Sequence, residues 1–255
     1  MTRRCFFVED MNPELGVVRL TDRVGHHLGD VLRLKRGDAV DLRDGRGNAW
    51  RAVIAGVEGS AVRVELGEKQ ALRNESTLEI TLALAFSQLD RMDLVLRQAT
   101  EIGVQRFVAF RAQRSQYGLS GARAEKRRER WSRIIREALC QCERIILPRI
   151  EILSDVRAFI AASGAYASED EGGLKLVARE AEPAECLTSL RRLFPACTQV
   201  VVVVGPEGGW AQTEVDQFME AGFHAVQLGP RILRLETAAV AVLSSVQLLW
   251  GDFGA

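Results

Sequence analysis

A chain of 255 residues permits one large domain or two modest ones. Its 47% apolar and 27% charged residues sit close to soluble globular averages. The net charge of zero argues against a uniformly basic nucleic-acid binder, yet the charges are unevenly placed. Gln88 to Arg149 holds fourteen Arg/Lys against seven Asp/Glu, and Val201 to Ala255 holds two against six. Such a distribution is either one basic face for phosphate contacts or an ordinary solvated helix surface. The longest nearly uncharged stretch, Thr237 to Trp250, is too short to span a bilayer, and the opening Phe6-Phe7-Val8 run is too short for a signal peptide. A cytoplasmic protein is expected. The five cysteines are odd in number and irregularly spaced, and Cys140-Gln-Cys142 lacks the two-residue gap of redox and zinc motifs. With only three histidines and no ligand spacing, reduced thiols and no metal are expected.

The first seventy residues read as short strands broken by turn chemistry. Asp38 to Arg43 alternates and meets the turn Asp44-Gly-Arg-Gly-Asn48, Trp50 to Ala55 follows as its partner, and Ala61 to Leu66 alternates again. A small β-barrel is predicted. From Thr77 the rhythm changes. Leu78 to Phe86 is a predicted strand. Leu89 to Ile102 shows helical apolar spacing, with Gly103 as its cap. Arg106 to Phe110 is a short strand. Ala122 to Ile145 is a long Arg-rich helix with Trp131, Ile134, Ile135, Ala138 and Leu139 on its apolar side, broken before Pro148. Strands follow at Ile150–Leu153, Leu174–Ala178, Val200–Val204 and Ala225–Leu228, with helices at Thr213–Ala221 and Thr237–Trp250. Thr213 to Asp216 resembles a capping box, and Gly222 closes that helix. The alternation predicts an α/β domain with a largely parallel sheet, covered on both faces where strands are apolar throughout. The last helix is apolar on most of its surface and is expected to be buried on all sides, within its domain or against a second copy.

The sharpest local signal is Val200 to Val204 running into Gly205-Pro206-Glu207-Gly208-Gly209-Trp210. A strand, a glycine-rich turn and a helix in succession is where α/β proteins bind ligands, because glycine lets the main chain approach closely. The dinucleotide fingerprint and the P-loop are both absent, and Pro206 removes a donor from any phosphate nest. The loop therefore binds something other than a nucleotide di- or triphosphate, or is simply a tight turn. A second strand-end segment, Leu228-Gly-Pro-Arg-Ile-Leu-Arg-Leu-Glu-Thr-Ala238, carries the two basic side chains of the acidic C-terminal region. Arg231 and Arg234 either pair with Glu207 or Glu236, or face an anionic substrate.

These two motifs together resemble the ribosomal RNA small subunit methyltransferase E family. The likeness extends to Arg91–Val104, to Arg130-Trp131 with Glu137-Ala138, Gln141, Arg144 and Pro148, and to His27, Val31-Leu32-Arg33 and Gly37-Asp38. It implies a small N-terminal PUA-like β-barrel over 1–73 and a C-terminal SPOUT trefoil-knot α/β methyltransferase domain over 74–255. It implies S-adenosylmethionine held by Gly205, Pro206, Glu207, Gly208, Gly209, Leu228, Gly229, Ile232 and Leu233, together with the segment after Leu176–Glu180. It further implies a homodimer that methylates N3 of one uridine in the decoding region of 16S rRNA, in the assembled small subunit. Arg234 is the expected stabiliser of charge on the uracil. Glu236 orients Arg234, takes the N3 proton, or only complements the helix dipole. Arg3, Arg4, Arg33, Arg46 and Arg114 are RNA-contact candidates. Gln98 stands where the family usually has Lys, which removes one positive contact beside Arg97. Two other readings remain: the same enzyme class acting on another rRNA or tRNA, and a non-catalytic ribosome-assembly protein.

Overall fold

The computed structural model describes residues 4–9, 11–59, 61–118, 121–168, 172–180 and 184–254. It separates into two compact units, one of residues 1–75 with 136–147, the other of 76–135 with 148–255.

The first unit is built on a five-stranded sheet in the order β1-β3-β4-β5-β2. Its strands are β1 (Cys5–Phe7), β2 (Val17–Leu20), β3 (Ala39–Arg43), β4 (Ala49–Glu58) and β5 (Ala61–Gln70). The predicted turn forms between β3 and β4. Asp44 Oδ1 accepts from the amides of Arg46 (2.8 Å) and Asn48 (3.1 Å), which replaces the ladder where the chain reverses. Gly45 is obligatory there, since it sits at φ +70° and a Cβ would lie 2.6 Å from the Phe7 ring and 2.8 Å from Leu147. Two register shifts in the β4–β5 ladder bend these long strands, so that Leu42, Ile54, Val62 and Val64 face inward with Phe6, Leu20 and Leu28. Between β2 and β3 the chain makes a short helix, α1 (Asp22–His26), and a π-helical turn (His27–Val31) that sequence periodicity did not indicate.

The second unit holds six parallel strands in the order β11-β9-β10-β6-β7-β8. They are β6 (Glu79–Ala85), β7 (Arg106–Arg111), β8 (Arg149–Asp155), β9 (Leu174–Ala178), β10 (Gln199–Val204) and β11 (His224–Val226). The helices are α2 (Leu89–Glu101), α3 (Gly121–Gln141, whose residues from 136 on belong to the first unit), α4 (Val156–Ser163), α5 (Leu187–Leu193), α6 (Gln212–Glu220) and α7 (Leu235–Trp250). Val200 to Val203 of β10 are fully buried, as expected of a strand covered on both faces, and each contributes about 1.5–3 kcal/mol of burial. The chain lays down β6, β7 and β8 in one direction, then returns to place β9, β10 and β11 on the other side. The order therefore reverses at the β10–β6 pair.

Three expectations are corrected. The Arg-rich helix ends at Gln141, four residues earlier than its apolar spacing suggested. Glu143 turns to φ +64°, and the Glu75 carboxylate accepts from the amides of Ile145 (2.8 Å) and Ile146 (3.0 Å), which takes these residues out of any helix. The capping box is not Thr213–Asp216. Helix α6 starts one residue earlier, and Glu214 Oε2 accepts from the Ala211 amide at 3.0 Å. Helix α7 is not buried all round within its own domain, which leaves only the second-copy branch of that expectation: Ala239, Val242, Leu243 and Val246 are covered, whereas Leu248 is 62% exposed. Two helices, α4 and α5, were not anticipated, being too short to show a period of 3.6.

Candidate functional site

In the second unit, the C-terminal ends of the adjacent strands β9, β10 and β11 open on a cavity of about 640 Å³. The crevice beyond the strand ends, beside the point where strand order reverses, is where open parallel sheets place their ligands. Gly205, Pro206, Glu207, Gly208 and Gly209 line it from the exit of β10, and Leu228, Gly229, Ile232, Leu233 and Arg234 from the exit of β11. Arg179 and Glu180 enter from β9.

Hydrogen bonds tie these loops to one another. The Arg179 amide donates to the Val226 carbonyl at 2.9 Å, joining the exits of β9 and β11. The Trp210 indole Nε1 donates to the Ala178 carbonyl at 3.0 Å, joining β9 to the β10 loop. The same ring lies over Gly205, where a Cβ would stand 2.9 Å from it, so glycine is required by close approach. Gly209 closes the turn at φ +67°, with its amide donating to the Pro206 carbonyl at 2.8 Å. Gly229 takes φ +84°.

The opposite wall belongs to β6 and β7. Ser87, fully buried just past β6, donates its hydroxyl to Glu207 Oε1, and the Arg91 guanidinium of α2 lies 3.6 Å from the same oxygen. Burial alone would raise the Glu207 pKa, but the Ser87 hydroxyl, backbone amides and Arg91 outweigh it and hold the carboxyl below its ordinary range. Beyond β7, Arg114 Nη1 donates to the Gly208 carbonyl at 3.1 Å. The buried Glu214 carboxylate bridges the amides of Gln113 (2.7 Å) and Ala211 (3.0 Å), which fixes the exit of β7 against the start of α6.

The nine residues expected to hold a cofactor thus converge on one cavity, and Arg234 joins them at the N-cap of α7. Glu236 does not. It lies in the first turn of α7, outside the lining, with Oε2 buried and without a hydrogen-bond partner. Among the described residues it makes no ion pair with Arg234. Arg114, expected at RNA, also lines the cavity. Arg4, Arg33 and Arg46 are exposed on the first unit, the second of them at φ +51°, and Arg3 lies outside the described residues. Ser87 and Glu214 were not singled out from sequence, and Arg91, Arg179 and Trp210 lay in quoted segments without a role of their own. Ser87 carried the available signal, a small polar residue where a strand gives way to a helix. Among the described residues no cluster of metal-binding side chains occurs.

An RNA methyltransferase domain model matches residues 74–247, and an RNA methyltransferase PUA domain model matches residues 20–67. Together with the parallel sheet and its strand-end cavity, these define an α/β protein of the SPOUT trefoil-knot methyltransferase class with an N-terminal PUA-like domain. Similar proteins narrow the class. A ribosomal RNA small subunit methyltransferase E of Synechocystis is 33% identical over 91% of this chain and 73% of its own length. That of Mycobacterium tuberculosis is 32% identical over 98% and 93%. The Neisseria gonorrhoeae member, solved bound to S-adenosyl methionine, is 35% identical, with a TM-score of 0.85 over 98% of this chain and 99% of that one. A Legionella pneumophila protein solved with bound cofactor SAM gives 0.87 at 28% identity, over 99% and 100%. The chain belongs to the ribosomal RNA small subunit methyltransferase E family.

Proposed function

We propose that the chain binds S-adenosylmethionine in the strand-end cavity and methylates N3 of uridine 1498, in the decoding region of 16S rRNA within the small subunit. The observation that carries this reading is the convergence of both family-like motifs on one cavity of about 640 Å³. That volume lies in the range of small-molecule sites, about 300–1,000 Å³. The lining suits the cofactor's chemistry. Apolar Leu228, Ile232 and Leu233 and the loop main chain fit an adenine and ribose, and Glu207 offers negative charge toward a cationic ligand.

When bound, S-adenosylmethionine supplies an electrophilic methyl group. The residues of the chain supply placement, which carries most of an in-line displacement. Uracil N3 bears a proton and is a poor nucleophile until it leaves. The site must accept that proton and stabilise charge spread over O2 and O4. Arg234 offers several donors in a fixed plane to those oxygens, and the N-terminus of α7 adds partial positive charge. Glu236 stands off the lining with one oxygen buried, which suits an orienting or helix-end role better than contact with substrate. Arg114 anchors the Gly208 carbonyl and borders the cavity where an RNA strand would enter.

The PUA-like domain, 1–73, is proposed to hold the RNA through Arg3, Arg4, Arg33 and Arg46, and the domain over 74–255 to carry out catalysis. A cytoplasmic homodimer fits this activity, and exposed Ile232, just before α7, and Leu248, near its end, fit contacts between copies. The test is incubation with labelled S-adenosylmethionine and small subunits from a strain lacking the endogenous enzyme, followed by mass-spectrometric mapping of the labelled nucleoside. Label at N3 of uridine 1498 is expected. Label on another RNA would refute the target, and cofactor binding with no transfer to any RNA would refute the enzyme.

A further inference from the structure

We infer that Cys5 and Cys140 form a redox-active thiol pair, a modification site at which a hydroperoxide converts the two thiols to a disulfide within the first unit. The inference is independent of the methyl-transfer reading. The two residues are 135 positions apart in sequence, yet the fold brings both side chains to the wall of one cavity, near enough for each thiol to influence the other. Cys5 lies on β1 and Cys140 near the end of α3, and both line one cavity of about 600 Å³ that is open enough to admit a small peroxide. Neither thiol is fully buried.

A fixed cation stands beside them. Arg43, on β3 and 2% exposed, donates from Nη1 to the carbonyls of Leu139 (3.2 Å) and Cys140 (3.4 Å), while its Nε is buried without a partner. Nucleophilic thiols occur next to such guanidinium groups, because the positive charge favours the thiolate. The two thiols are pushed apart accordingly. The hydrogen bond with Cys140, then burial, raises Cys5 far above the usual thiol range. The hydrogen bond from Cys5, followed by the Arg43 charge, lowers Cys140 against the opposing effect of burial. Cys140, whose own carbonyl anchors the Arg43 guanidinium, is the attacking thiol and Cys5 the resolving one. Cys142, two residues on, has its sulfur turned toward the Leu139 carbonyl at 3.8 Å. Cys186 and Cys197 belong to the other unit.

The reaction balances without further reagents. The Cys140 thiolate attacks the peroxide oxygen, an S–O bond forms as the O–O bond breaks, and the alkoxide leaves and takes up a proton. The Cys5 thiol loses its proton, attacks that sulfur and expels hydroxide as water. Two thiols give up two electrons, and the hydroperoxide becomes an alcohol and water. The product would staple the first strand to the segment 136–147 that completes the unit.

The test treats the reduced full-length chain with one equivalent of tert-butyl hydroperoxide, alkylates the remaining thiols, and maps disulfide-linked peptides without reduction. The Cys5–Cys140 peptide should exceed every other linkage by about tenfold, in keeping with thiolate selectivity, and should vanish with dithiothreitol. In Cys5→Ser, Cys140 should accumulate as a sulfenic acid that dimedone labels. Recovery of Cys5 and Cys140 fully alkylated from the wild-type chain after peroxide would overturn the inference, as would Cys5–Cys142 linkage at equal yield. Because the wild-type mapping decides alone, a variant that fails to fold does not shield the inference.

Discussion

Glu207 is the acidic side chain of the Gly205–Gly209 loop, and its anchors come from a different stretch of chain, Ser87 and Arg91. Replacing it with Gln removes the ion pair and weakens the bond to Ser87, so loop anchoring should fall by about 1 kcal/mol, or roughly fivefold in S-adenosylmethionine affinity by titration calorimetry. An unchanged affinity would mean that the anchor does not shape the site. The pH dependence has a definite sign. The carboxyl is held below its ordinary range in the folded chain, so its stabilisation is complete above that range and is lost as pH falls through the depressed value. Cofactor affinity should therefore stay flat from neutral pH down through the ordinary carboxylate range and weaken only beneath it. Weakening at a higher pH would mean that another group controls the loop. None of this was legible from one sequence, because Ser87 and Glu207 are brought together only by the β6–β10 pairing.

Among the elements, Trp210 and Asp93 make the clearest demands. The Trp210 indole joins two strand-end loops, so Trp210→Phe should keep the ring's packing, lose the bond to the Ala178 carbonyl, and cost about 1 kcal/mol in thermal unfolding. Cofactor affinity should fall with it, whereas an effect on stability alone would make Trp210 a packing residue. Asp93 on α2 is 7% exposed and accepts from the Trp131 indole (3.0 Å) and Arg130 Nε (2.8 Å) of α3. Asp93→Ala leaves that buried indole donor unsatisfied and should destabilise the second unit by about 1–3 kcal/mol in chemical denaturation. The elements themselves were largely readable. Strands β6, β7, β9 and β10 and helices α2 and α6 fall within a residue or two of their periodic segments, because burial on a regular element writes its own period. What escaped were α4, α5 and the true end of α3. The first two are short, and the third is set by Glu75, a residue from another part of the chain.

For the whole molecule, strand order is the feature that composition and periodicity could not supply. Placing β10 between β9 and β6 brings the exits of β9, β10 and β11 to one crevice, and this gives both C-terminal motifs a shared task. The resemblance of those motifs to a known family anticipated the shared cavity; the residues alone left each loop as either a ligand site or a turn. Exposed apolar side chains add a statement about assembly. Ile232 is 81% and Leu248 62% exposed, apolar area that the proposed second copy would cover. Sedimentation equilibrium should give twice the mass of 28.2 kDa, and Leu248→Glu should shift it toward a single chain. A wild-type monomer would contradict the proposed dimer.

The central claim is that the strand-end cavity is the seat of methyl transfer, with Arg234 acting on the reacting base. The most direct measurement is single-turnover transfer to small subunits by Arg234→Ala, with S-adenosylmethionine affinity measured on the same preparation. Near-normal cofactor affinity is expected, with a transfer rate lower by about 100-fold or more, the usual effect of removing one donor to a developing negative charge. Transfer at the wild-type rate would contradict it.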